Sequence, residues 1–139
     1  MEFAVTPAQA DHGQLQIELQ SEQNLPAMRL IFEPDGNFIA KAGARVKNVL
    51  KYSSGQTYVV RIALDMDTRM YTVNVNGKDM FTQLFFAPVP AFGHIVFRTG
   101  EARHYPTTDS PAEAWEDVKG AGDKVAAAEF FISYLKTSK

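Results

Sequence analysis

The chain has no cysteine, a single tryptophan, and no apolar run near the ~20 residues that a membrane-spanning helix needs. The missing cysteine removes disulfides, thiolate nucleophiles and cysteine-ligated zinc. It leaves the compartment open, because exported proteins also do without it. A basic excess is lacking as well: 14 Lys and Arg stand against 16 Asp and Glu, for a net charge of -2. That balance gives no general attraction for phosphate backbones or anionic bilayers, so neither nucleic acid nor a membrane is an expected partner. The opening Met1-Glu2-Phe3-Ala4-Val5-Thr6-Pro7 also lacks the basic region and apolar run of a signal peptide.

The remainder is ordinary globular composition: 139 residues, 45% apolar and 22% charged. A chain of that length buries about two-thirds of its unfolded surface and needs no staples. One domain over residues 1–139 is the expectation. Gln14-Leu15-Gln16-Ile17-Glu18-Leu19-Gln20 alternates polar and aliphatic residues, which predicts a half-buried strand with its polar side in solvent. Met28 to Glu33 and Phe38 to Lys41 flank Pro34-Asp35-Gly36-Asn37, a turn signal, and so predict a hairpin.

Tyr58 to Asp65 and Met70 to Gly77 form the strongest strand pair. With Val60, Ile62, Leu64, Tyr71, Val73 and Val75 facing inward, Arg61, Asp65, Thr72 and Asn74 must face outward. Asn76-Gly77 is a two-residue hairpin turn leading into a strand over Met80 to Phe86. Gly93 to Gly100 and Ala128 to Lys136 complete the strands. The prediction is therefore an all-β, two-sheet antiparallel sandwich of jelly-roll type. Ser110-Pro111-Ala112-Glu113 has capping-box spacing, which predicts one short helix near 111–118, ended by Gly120 and Gly122.

The run Tyr52-Ser53-Ser54-Gly55-Gln56-Thr57-Tyr58-Val59-Val60-Arg61-Ile62, then Tyr71-Thr72-Val73-Asn74-Val75-Asn76-Gly77, resembles laminin-G-like members of the concanavalin A-like lectin/glucanase superfamily. Ile95 to Gly100 and Phe130 to Lys136 are similar to the family's last strands. Two departures stand out: Thr57 occupies the place where the family has Trp, and no strand is evident ahead of Glu2. The second would leave a sheet edge open to a partner or to a second copy of the chain. The resemblance implies a non-catalytic carbohydrate-binding module that works in an extracellular or periplasmic setting and recognises a polysaccharide or other glycan.

Catalytic signatures are sparse. The Glu-x-Asp-x-x-Glu run of a glucanase on this fold is absent, and His12, His94 and His104 have no ligand spacing. A hydrolase or lyase reading would have to draw its acid and base from loop residues such as Asp109, Glu113 or Glu116. A purely structural or protein-interaction role is the third alternative. No cofactor is required. Asp65 and Asp67 are ordinary turn aspartates on one reading and hard-oxygen calcium ligands on the other.

Candidate sugar contacts are Arg61 and Asn74 on neighbouring strands, and His94 and Arg98 on one side of theirs. The rings of Tyr105 and Trp115 are added to these. Guanidinium and amide forks suit hydroxyl or carboxylate pairs, and aromatic rings stack on the apolar faces of pyranoses. A solvated sheet face and a tryptophan packed on the sandwich are the competing readings.

Overall fold

The computed structural model describes residues 1–99 and 126–138. Ten strands run in chain order: β1 Glu2–Pro7, β2 Leu15–Gln20, β3 Pro26–Phe32, β4 Asn37–Ala42, β5 Arg45–Lys51, β6 Tyr58–Asp65, β7 Met70–Val75, β8 Lys78–Leu84, β9 His94–Thr99 and β10 Phe130–Lys136. They form two five-stranded sheets, ordered β10-β1-β6-β7-β8 (sheet A) and β5-β4-β3-β2-β9 (sheet B), and every pairing is antiparallel. The predicted all-β sandwich is the observed architecture. The helix expected near 111–118 lies outside the described residues.

Aromatic contacts between the inner faces hold the sheets together. Phe3 of sheet A meets Phe97 of sheet B edge-on at 5.7 Å. Phe32 of sheet B stacks on its neighbour Phe38 at 4.1 Å and reaches Phe130 of sheet A at 6.1 Å. Edge-on and offset ring pairs add to area burial, so this slab resists shear as well as exposure. Ile17, Leu30, Val60, Ile62 and Val73 fill the rest and are buried. The Tyr71 hydroxyl, inside the core, is satisfied by the Gln83 amide. Burial is the main cause that pushes its pKa up to about 12.

Three sequence expectations change. β1 was not anticipated as a strand, yet it sits inside sheet A between β10 and β6, so no gap opens beside it. β5 was also missed: its Arg-Val-Lys-Asn-Val-Leu-Lys composition suits an edge strand, whose charges discourage pairing with other chains. β2 pairs as a strand should, but it is buried on both faces rather than one. Gln16 is 1%, Glu18 0% and Gln20 4% exposed. Burial of Glu18 and Gln20 is compatible with folding because they bond to each other and, through Glu18, to Arg29 of β3. Arg29 Nε donates to Glu18 Oε1 at 2.8 Å, and Gln20 Nε2 donates to Glu18 Oε2 at 2.5 Å.

Among the described residues no helix is long and apolar enough to cross a membrane.

Candidate functional site

Antiparallel register determines what faces outward on sheet A. Lys136 lies opposite Glu2, Glu2 opposite Arg61, Arg61 opposite Asn74, and Asn74 opposite Asp79. These five side chains form one row across all five strands. Most are committed to neighbours. Tyr134 Oη donates to Glu2 Oε1 at 2.9 Å, and that bond leads the causes that raise the phenol's pKa. The Lys136 ammonium lies 4.7 Å from the Tyr134 ring centroid. Asn74 Nδ2 donates to Asp79 Oδ1 at 2.8 Å, while its Oδ1 accepts the Gly77 N–H at 3.0 Å.

Arg61 differs. It is exposed, and its guanidinium has no hydrogen bond or ion pair to another described residue. The next row along the same face holds Ala63, Thr72 and Thr82, with the two threonine hydroxyls 2.7 Å apart. Asp65, Met70 and Leu84 follow. Asp65 Oδ1 accepts the N–H groups of Thr68 at 2.9 Å and Asp67 at 3.0 Å. Its carboxyl is held below the ordinary aspartate range, chiefly by the Thr68 bond.

The outer face of sheet B is of another kind. Val96, Glu18, Arg29, Lys41 and Val46 form a cross-strand row, flanked by one of Arg98, Gln16, Ile31 and Ile39. The Glu18–Arg29 ion pair is almost fully buried, and Lys41 has its pKa lowered by burial first and by the Arg29 charge second.

The structure therefore divides the sequence candidates. Arg61 and Asn74 are register partners on sheet A, whereas His94 and Arg98 lie on β9 at the edge of sheet B and share its outer face. The two pairs cannot form one surface, because the sandwich core separates the outer faces. Asn74 anchors the Asn76-Gly77 turn with one amide donor and one lone pair, and the second of each remains. Asp65 shapes the β6–β7 turn. Among the described residues, no group of three or more His, Cys, Asp and Glu stands together as metal ligands. Tyr105 and Trp115, like Asp109, Glu113 and Glu116, lie outside the described residues. The sequence reading missed the buried polar set Gln16, Glu18, Gln20 and Arg29; the density of glutamine and glutamate in β2 was its available signal.

Comparison with known proteins gives this geometry a setting. A family described as sialidase-like, CBM domain (carbohydrate-binding module), matches residues 1–114. Among solved structures the chain is similar to one named "Sialidase": TM-score 0.75 and 40% identity, over 94% of this chain and 12% of that one. The chain thus spans a small part of that sialidase. No curated protein matches it.

Proposed function

The chain belongs to the sialidase-like carbohydrate-binding-module family, and from that premise we propose that it is a non-catalytic module holding a glycan on the outer face of sheet A. Arg61 is the central contact. The observation that carries this reading is an exposed guanidinium, unengaged by other described residues, in mid-sheet between Glu2 and Asn74. A guanidinium fork meets a carboxylate or a pair of hydroxyls with two parallel N–H bonds, which gives orientation as well as attraction. Asn74 holds the adjoining turn in shape beside it.

Because the similar solved structure is named a sialidase, a glycan ending in sialic acid, which carries a carboxylate, is the first ligand to test. In this reading the module works outside the cytoplasm, as one domain over 1–139, and needs no cofactor. Calcium at Asp65 and Asp67 is a separate proposal. Kinship with laminin-G-like modules is supported by the β6–β7 hairpin and its outward Arg61.

One observation favours a second location. On the β9 margin of sheet B, at the border of the buried Glu18–Arg29 pair, His94 is exposed and Arg98 half-buried on the same outer face. A glycan array that pairs sialylated and desialylated versions of each structure, run with calcium and with chelator, separates the two. Loss of wild-type binding in Arg61→Ala alone supports sheet A. Loss in His94→Ala/Arg98→Ala alone moves the site to sheet B. A wild-type protein that binds no glycan contradicts the module reading.

A further inference from the structure

A recess of about 300 Å³ opens on the outer face of sheet A, at the end nearest the β6–β7 turn. It is lined by Ala63, Asp65, Thr68, Met70, Thr72 and Thr82. Its volume lies at the small end of ligand pockets, which suits one sugar ring rather than a chain of them. Arg61 is two residues before Ala63 on the same strand and the same face, so the recess begins about 7 Å from it. We propose that this recess is a second subsite, specific for a neutral pyranose unit joined to the unit that Arg61 holds.

The inference rests on the module reading above. Three features give it chemical content. Thr72 and Thr82 share a single hydrogen between their hydroxyls at 2.7 Å. That leaves one O–H donor and spare lone pairs facing the recess, the complement of a sugar hydroxyl. Asp65 uses one carboxylate oxygen for the Asp67 and Thr68 N–H groups, and a carboxylate has acceptor capacity for a further hydroxyl. The Ala63 methyl and the Met70 side chain provide an apolar patch for the C–H face of a pyranose.

Charge supplies the selectivity. Asp65 is an exposed aspartate, ionised at neutral pH, and those N–H bonds hold its carboxyl further below the ordinary range. An acidic sugar placed here would bring two carboxylates together with no cation in the recess lining, a costly juxtaposition. An acidic unit therefore goes to Arg61 and a neutral one to the recess, which fixes the direction in which a glycan lies along β6.

The test is a nuclear magnetic resonance titration of the full chain, following the Ala63 and Met70 methyl groups and the Arg61 Nε–H separately. The probes are methyl galactopyranoside, methyl glucopyranoside and the methyl glycoside of N-acetylneuraminic acid. At least one neutral sugar is expected to shift the recess methyls, and the acidic sugar is expected to shift Arg61 without them. Thr82→Val, isosteric and exposed, should weaken the neutral sugar about fivefold, the equivalent of one lost hydrogen bond. Asp65→Asn retains the turn bonds but removes the charge, and should let the acidic sugar reach the recess methyls. If Arg61 responds to the acidic sugar while the recess methyls respond to none, the second subsite is overturned and the module reading stands. If neither responds to any sugar, both fall.

Discussion

Replacing Arg29 by Met should cost the domain about 3–5 kcal/mol, the usual penalty for removing one partner of a buried ion pair. Arg29 is 3% exposed, its partner Glu18 is 0% exposed, and their bond is 2.8 Å. Loss of the cation strands a carboxylate that water cannot reach, which makes the penalty several times that of an exposed pair. For a chain of 139 residues it corresponds to a fall in Tm of about 10–17 °C. Replacing both partners together, as Glu18→Leu with Arg29→Met, removes the stranded charge. That double variant should lie within about 3 kcal/mol of wild type, because the pair's attraction largely offsets its own desolvation while the buried Gln20 amide loses its acceptor. Urea denaturation of wild type, both single variants and the double variant, analysed as a double-mutant cycle, measures both quantities. An Arg29→Met loss below about 1 kcal/mol would place the pair in the range of solvated surface bridges and refute the burial of the outer face of sheet B.

Two further perturbations test other parts of the fold. Tyr52 and Tyr71 both have pKa values raised to about 12, with burial the leading cause. The folded state therefore holds these protons more tightly than the unfolded state. Stability should be level below pH ~10 and fall as pH rises from ~10 through ~12, and Tyr52→Phe should flatten that slope; a level profile up to pH ~12 would contradict it. Gly43 and Gly77 both have positive φ, at 61° and 86°, but a Cβ on Gly43 would come within 2.2 Å of the Phe86 ring while one on Gly77 would meet nothing within 4 Å. Gly77→Ala should cost about 1–2 kcal/mol from backbone strain alone, and Gly43→Ala measurably more; thermal melts showing equal losses would remove the steric contribution.

How much was legible in the sequence followed the range of the interactions involved. The β6–β7 hairpin could be read directly, because alternation in both strands and Asn76-Gly77 between β7 and β8 are local signals, and Val60, Ile62, Val73 and Val75 are buried as expected. Arg61 and Asn74 as neighbours came from the same reading. β1 escaped it because its placement depends on β10 at the other end of the chain. The charges of β5 conceal a strand whose pairing with β4 follows a tight turn at Gly43. Alternation in β2 identified the strand, but one face of polar residues looks the same whether water or protein lies above it.

Sheet membership was the least readable feature. His94 and Arg98 could join Arg61 only if β9 lay in sheet A, and its pairing with β2 is a long-range choice. The bond from Asn74 to Asp79 was not readable because it needs the bulge between β7 and β8. The recess needed the register of three strands, since Ala63, Thr72 and Thr82 come from β6, β7 and β8. Each of these residues is unremarkable alone.

The most direct test of the central claim, that a glycan is held at Arg61 on the outer face of sheet A, is calorimetric titration of the best array ligand into wild type, Arg61→Lys and Arg61→Ala. A charge-assisted bidentate contact predicts an affinity loss of about tenfold or more for Arg61→Ala, and a smaller loss for Arg61→Lys, which keeps the charge but not the fork. Unchanged affinity in both variants, with their folds intact, would contradict the claim and remove Arg61 from the site.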